Sequence, residues 1–201
     1  ISNVGSTSSA VAITHSKEEL ESIARKFRHD LNLKDADALE SLKIRIHGVD
    51  VFKPEEINDF DGKCLKHLAT KGSNEWSAMS IPIHLDNDQW AILLNSQHNI
   101  ERQRVTYLEE CWHILLGHKL TKIARIAGAY GRTYDSNEEH DAYYLASATL
   151  LPRKAIKKFI EDGKSGEDIA NHFGTSKELV EYRIKRLGLW REYTGKKIEL
   201  Q

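Results

Sequence analysis

Apolar residues recur at helical spacing in several parts of the chain. Ser16 followed by Glu19 forms a capping-box pattern, and the helix after it should have one apolar face. That face is made by Leu20, Ile23, Ala24, Phe27 and Leu31. Residues 38–42 predict a second, shorter helix, and a long helix is predicted from about Glu101 to Lys119. The buried surface of the long helix is expected to be formed by its own side chains Tyr107, Leu108, Cys111, Trp112 and Leu115.

Three strands are predicted before the long helix. Val49 to Phe52 is a short β-type run that is ended by Pro54. Trp76 to Leu85 alternates apolar and polar side chains, and Pro82 favours an edge position because proline cannot donate to a sheet ladder. Residues 90–94 are continuously apolar, which is typical of a buried strand.

Helices are expected to dominate after the long helix. Residues 130–136 are interpreted as a loop, and Glu138 to Leu151 predict an apolar helix stopped by Pro152. The predicted fold class is therefore α+β: a small mixed or antiparallel sheet, two motif-bearing helices and a helical C-terminal region. The expected division is a flexible tail at 1–15, a main domain at 16–152 and a helical subdomain at 153–201.

The C-terminal region resembles a helix-turn-helix. Gly174 supplies the turn and Ser176 is the N-cap of the second helix. The outward side of that helix is expected to carry Lys177, Glu178, Glu181, Arg183, Lys185 and Arg186. The two Glu residues would face DNA phosphates unfavourably, so a structural subdomain is favoured over DNA binding, which stays an alternative.

Composition narrows the class of protein. The 201 residues are 40% hydrophobic and 29% charged with a formal net charge of -1, an ordinary globular mix without a broad field for nucleic acid or membrane. No apolar run approaches the roughly 18 residues that span a bilayer. The two cysteines, Cys64 and Cys111, form no C-x-x-C pair, which favours a reducing compartment, and we expect a cytoplasmic protein.

The most informative stretch is V-T-Y-L-E-E-C-W-H-I-L-L-G-H at residues 105–118. Zinc peptidases carry H-E-x-x-H on a helix, in which two His ligands flank a general-base Glu. Glu109, Glu110 and His113 occupy those three places, so a Glu replaces the first His. A zinc site needs a third protein ligand. In the gluzincin peptidases, which this pattern resembles, that ligand is a Glu on a later helix, and Glu139 is in the corresponding place. Alone, this pattern is equally compatible with a solvated acidic helix face.

The surrounding landmarks resemble the ImmA/IrrE family of metallopeptidase-like proteins. Arg102 and Arg104 precede Thr106, and the motif helix ends in L-L-G-H. E-H-D-A at 139–142, Leu145-Ala146 and L-L-P at 150–152 then follow in the family's order. The resemblance implies metal ligands at Glu109, His113 and Glu139, with Glu110 as general base. It also implies action on a regulatory protein, often a repressor.

Glu109 leaves three outcomes open. A carboxylate can bind zinc, but its added charge makes the metal less electrophilic and shifts preference toward harder ions such as Mn²⁺. The chain is therefore an active variant, a metal-binding protein with weak activity, or a metal-free pseudopeptidase that binds a protein partner. His118, His140 and Asp141 could support the ligands by hydrogen bonds, although a helix-end role is favoured for His118.

Overall fold

The computed structural model describes residues 15–57, 62–70, 72–84, 88–118, 122–126, 129–133 and 135–196. The helices are α1 (Lys17–Asp30), α2 (Gly62–Ala69), α3 (Ile100–Leu115), α4 (Ser136–Leu150), α5 (Arg153–Glu161), α6 (Gly166–Phe173), α7 (Lys177–Leu187) and α8 (Trp190–Thr194). The strands are β1 (Val49–Phe52), β2 (Ala78–His84), β3 (Gln89–Leu94), β4 (Lys122–Ile126) and β5 (Ala129–Thr133). Most of the predicted tail, residues 1–14, lies outside the described residues.

The main sheet has three strands in the order β1-β3-β2. β1 runs parallel to β3, with Val51 opposite Ile92, and β2 runs antiparallel to β3, with Ser80 opposite Ile92. The sheet is therefore small and mixed, and β2 lies at its edge, as Pro82 predicts. The α+β fold class is confirmed.

Some local predictions were wrong. β4 and β5 pair as an antiparallel hairpin, with Ala124 opposite Gly131, where a loop was expected at residues 130–136. A glycine inside a five-residue strand weakens the sequence signal for that strand. The short helix expected at residues 38–42 is a 3₁₀ turn at Ser41–Lys43, because so few residues cannot repay the cost of starting an α-helix.

The larger core cluster lies between the helices, and a smaller one, which contains Cys111, lies between the main sheet and α3. α1 and α3 both pack against α4, which is buried along most of its length. Ser16 and Glu19 form the predicted capping box of α1, and Cys111 is a core residue, 1% exposed. Leu31 and Leu115, expected to be buried, are 40% and 45% exposed because each lies at or beyond the last turn of its helix.

The C-terminal helices share this core. Their buried apolar side chains join one cluster with those of α1, α3 and α4, and include Ile156, Ile169, Phe173, Val180 and Ile184. Gly174 ends α6 in the left-handed region at φ 61°, and Ser176 accepts the Leu179 N–H at the start of α7. The helix-turn-helix-like geometry is thus present, while a separate subdomain at 153–201 stays a prediction.

Arg183 was wrongly predicted to face solvent. Its side chain is fully buried, and its Nε donates to the Leu151 carbonyl at 2.9 Å. Its guanidinium forms an ion pair with Glu21, with Nη1 2.7 Å from Oε1 and Nη2 2.9 Å from Oε2. The guanidinium also lies over the Tyr144 ring, whose hydroxyl donates to Glu21 at 2.6 Å. Arg183 therefore ties α7 to α1 and α4.

A second arginine fixes the turn between α6 and α7. Arg104 on α3 donates through Nη1 to the Gly174 carbonyl at 2.8 Å, and its Nη2 lies 2.9 Å from both carboxylate oxygens of Glu40. A Cβ at Gly174 would overlap the Arg104 guanidinium, so the turn needs glycine for space as well as for its φ.

No helix among the described residues is long and apolar enough to cross a membrane. The cytoplasmic location stays a prediction.

Replacing Arg183 with Met should lower the free energy of unfolding by about 3–5 kcal/mol, because it leaves Glu21 charged and buried without its cation. Urea denaturation followed by circular dichroism measures the loss. Lys185→Met, on the exposed side of α7, is the matched control and should change stability by no more than about 0.5 kcal/mol. Equal effects of the two substitutions would contradict the anchoring role of Arg183.

Candidate active site

The predicted metal ligands come from two packed helices. Glu109, Glu110 and His113 lie on α3, and Glu139 lies in the first turn of α4. Asp135 fixes that first turn, since its side chain accepts the Asn137 N–H at 2.9 Å. The packing of α3 on α4 brings His113 Nε2 to 3.8 Å from Glu139 Oε2, although the two residues are 26 positions apart.

This distance is close to the separation of two ligands on one ion. Zinc ligands about 2.0–2.2 Å from the metal at tetrahedral angles lie roughly 3.3–3.6 Å from each other. His113 and Glu139 exceed that spacing by a few tenths of an ångström. Across the described part of the chain, however, no three His, Cys, Asp or Glu side chains form a group that could hold a metal ion. The pair fits a metal, and the third donor is not in place.

Glu109 and Glu110 are acids in an unfavourable setting for negative charge. Burial raises the pKa of Glu109 to about 8, and the nearby carboxylates of Glu110 and Glu139 raise it further in the same direction. Burial also raises the pKa of Glu110 to about 7. Two poorly solvated carboxyl groups therefore lie near a third, that of Glu139, whose side chain is 47% exposed, and this arrangement favours either bound protons or a cation.

Ser80 on the edge strand holds Glu110. Hydrogen bonding from the Ser80 side chain and backbone opposes the effect of burial on the Glu110 pKa, while the charge of Glu139 adds to it. The other carboxylate oxygen, Oε2, is buried without a hydrogen-bond partner. Glu110 is thus positioned by β2 and keeps one oxygen available to a group that enters the site.

His113 is oriented by His118. The two Nδ1 atoms lie 2.9 Å apart, so one ring donates and the other accepts. Burial, and then the His118 ring, lower the pKa of His113 to about 3, which makes it a neutral imidazole at ordinary pH. If His113 donates from Nδ1, its Nε2 has a lone pair directed toward the Glu139 side.

The other two predicted supporting residues lie differently. Asp141 is 1% exposed, and its Oδ2 is 2.8 Å from Nδ1 of His15 and 3.2 Å from the His15 backbone N. Its charge acts on His118, whose pKa is nevertheless lowered, chiefly by burial. His140 is exposed and turned away, with both ring nitrogens within 2.9 Å of Arg186 Nη2 on α7.

A cavity of about 590 Å³ opens beside Glu109. One wall is the α3 face that carries Arg102, Thr106 and Glu109, and another is Tyr143 of α4. The first turn of α7 completes it with Ser176, Glu178 and Leu179. The second helix of the helix-turn-helix-like segment therefore presents its N-terminal end to this cavity.

Residues 65–185, more than half of the chain, match the family model of the M78 peptidases, described as an IrrE N-terminal-like domain. The chain belongs to this family. The match confirms the ImmA/IrrE resemblance and supports a metallopeptidase-type or related regulatory function. The M78 peptidases are generally zinc-dependent. No curated protein and no solved structure shows significant similarity to the chain.

Sequence reasoning missed three residues that shape the site. Ser80 hydrogen-bonds Glu110 from 30 positions earlier in the chain, and His15 hydrogen-bonds Asp141 from 126 positions earlier. Tyr143 lies 34 positions after Glu109, whose charge raises the pKa of the tyrosine. The alternation of β2 indicates that some of its side chains face inward. Nothing in the sequence says which helix residue such a side chain meets.

Replacing Glu109 with Gln should stabilise the metal-free protein increasingly as pH rises. The folded protein keeps the Glu109 proton up to about pH 8, whereas the unfolded chain releases it near 4.5, so wild-type stability falls across that interval. The gain at pH 8.5 should exceed about 1 kcal/mol, the free energy of one pKa unit, and should vanish near pH 4.5.

Urea denaturation in chelator at both pH values measures this gain. Glu75→Gln, in an exposed position, is the control and should show no such trend. A pH-independent difference between wild type and Glu109→Gln would mean that Glu109 is ionised in the folded protein.

Proposed function

We propose that this chain is a metal-dependent peptidase that cleaves a regulatory protein, such as a repressor, at the junction of α3 and α4. The observation that carries the proposal is the approach of His113 and Glu139 to 3.8 Å, beside two acids whose pKa values are raised by burial. A cation between these groups would relieve the repulsion among the carboxylates. Membership of a peptidase family supports the same reading.

His113, Glu139 and Glu109 would hold the ion, with Glu109 turning toward the pair to supply the third donor. The chemistry that a divalent ion would supply there is polarisation of a peptide carbonyl and a lower pKa for a bound water molecule. Glu110 would act as general base: a cation beside it would lower its pKa from the metal-free value of about 7 and favour the ionised carboxylate that accepts a proton near neutral pH. Ser80 holds Glu110 in position for that transfer.

The cavity beside Glu109 would receive the substrate chain. Its walls combine apolar surface from Val105, Tyr143 and Leu179 with one cation and three acidic side chains: Arg102, Glu101, Glu109 and Glu178. An extended segment could place one side chain in this space while its backbone passes the Glu110 carboxylate. On this view, the first turn of α7 serves substrate binding, which makes it unsuited to enter a DNA groove.

A second candidate is a pseudopeptidase that binds its protein partner without cleavage. It is favoured by one observation, that the described side chains form no three-donor metal group. In this case Glu109 and Glu110 would stay protonated near neutral pH and donate hydrogen bonds to a bound segment.

Metal binding separates the two candidates. Wild type loaded with Zn²⁺ or Mn²⁺ and then gel-filtered should retain about one ion per chain, whereas His113→Ala should retain almost none. His29→Ala is the matched control, because the His29 side chain is 88% exposed. Equally negligible metal in wild type and His113→Ala, measured by elemental analysis, would reject the metallopeptidase and leave the pseudopeptidase.

Replacing Glu109 with His should tighten zinc binding by at least about tenfold and raise cleavage of an unstructured or repressor-derived peptide. The substitution restores two imidazoles on one helix face and removes a negative charge that weakens the electrophilicity of the metal. Zinc titration and peptide cleavage, each in wild type and Glu109→His, provide the measurements. Tighter zinc without cleavage would indicate that the rest of the site no longer supports catalysis.

A further inference from the structure

A second and larger cavity, of about 760 Å³, lies away from the candidate active site. It is bounded by one side of α1, the turn at residues 33–35, the end of α4 and the first turns of α5. Its only α4 residue, Ala148, lies nine positions beyond Glu139, or about 13 Å along the helix axis. None of the proposed ligands lines it, so its chemistry must be explained separately.

Positive side chains predominate around this cavity. Five of them are exposed: Arg25, Lys34, Arg153, Lys154 and Lys157. Three acids also line it, but Glu21 is already neutralised by Arg183 and Asp35 lies 3.9 Å from the Lys154 ammonium. Glu18 adds a further negative charge, and Glu161 lies 3.8 Å from the Lys157 ammonium. The exposed lining cations outside these ion pairs are Arg25, Lys34 and Arg153. The space between the walls therefore has a positive potential.

A sixth cation, Arg28, is buried in the cavity wall at 3% exposure. Its guanidinium donates to three carbonyls, those of Thr149 at 2.9 Å, Lys34 at 2.6 Å and Asp37 at 2.7 Å. Its Nε has no acceptor, and its hydrogen bonds go to carbonyls rather than to carboxylates. Burial lowers the pKa of Arg28, although the charges of Asp35 and Asp37 act in the opposite direction. A buried positive charge without a bound anion is costly.

The start of α5 adds to the same field. Pro152 is the N-cap of this nine-residue helix and offers no side-chain acceptor. The first N–H groups of a helix have no intrahelical partner and carry a partial positive charge. At α5 these groups belong to Arg153, Lys154 and Ala155, two of which line the cavity.

We propose that this cavity binds a small anion that carries two or more phosphate groups. The cations come from α1, from the following turn and from α5, and so lie on different sides of the cavity. They can therefore contact two or more phosphate groups of one ligand at the same time. The volume is that of a small-molecule site. The apolar lining is aliphatic, from residues such as Leu33 and Pro152. The aromatic ring among the lining residues is the imidazole of His29, whose side chain is 88% exposed, so it gives a base no enclosed stacking surface. Recognition therefore rests on the phosphates.

Inorganic tripolyphosphate is the probe, and isothermal titration calorimetry is the measurement. Wild type should show saturable one-site binding that weakens as salt is raised. Arg153→Ala combined with Lys157→Ala should weaken it at least about tenfold, because both cations line the cavity. Lys177→Ala combined with Lys185→Ala removes the same charge from exposed positions on α7 and should change affinity less than about twofold.

Three results would overturn the proposal. The first is the absence of saturable binding at millimolar tripolyphosphate in wild type that circular dichroism shows to be folded. The second is equal weakening by the two double variants, which would mean general attraction to a basic surface. The third is binding of adenosine triphosphate at least tenfold tighter than tripolyphosphate, which would mean that the base is recognised.

Discussion

The ion pair of Arg183 with Glu21 is the constraint on which the arrangement of the helices depends. It connects α7 to α1, and the Leu151 carbonyl and Tyr144 ring connect the same guanidinium to the end and middle of α4. Burial opposes ionisation of Glu21, yet Arg183 holds its pKa below the usual value. A buried pair of this kind is a weak source of net stability but requires one geometry, because either partner alone is costly. It therefore fixes where the first turn of α7 meets the cavity beside Glu109.

Local sequence patterns correctly predicted the elements that are determined by residues close together in the chain. The capping box of α1, the β1 run before Pro54 and the glycine turn before α7 all depend on neighbours within a few residues. Arg183 shows where this reasoning fails. On a helix whose exposed positions are charged, an arginine is assigned to solvent unless its buried carboxylate is known, and Glu21 lies 162 positions away. The β4–β5 hairpin was missed for a related reason. Whether a segment forms a strand depends on the segment it pairs with, which its own sequence does not identify.

The candidate site divides in the same way. The spacing of Glu109, Glu110 and His113 on one helix follows from helical geometry, and the choice of Glu139 came from the family resemblance. The contact at 3.8 Å depends on how α3 and α4 pack, which spacing does not specify. Ser80, which holds Glu110, comes from a strand of the sheet. The candidate residues could thus be named from the sequence, and their roles as ligands and base stay predictions, whereas their protonation states and supporting contacts could not be predicted.

The Glu at position 109 changes how many protons the site binds, as well as which atoms are available to a metal. A histidine there would be neutral, leaving two carboxylates for a divalent ion to balance. With Glu109, three carboxyl groups share the region, and two of them have pKa values of about 7 and 8. Metal binding must then release the Glu109 proton, which a neutral histidine at this position does not hold, so affinity depends more steeply on pH. Without metal, the same protons convert the acids into hydrogen-bond donors. Whether position 109 serves hydrolysis or recognition is therefore decided by the competition between protons and metal for the same oxygens.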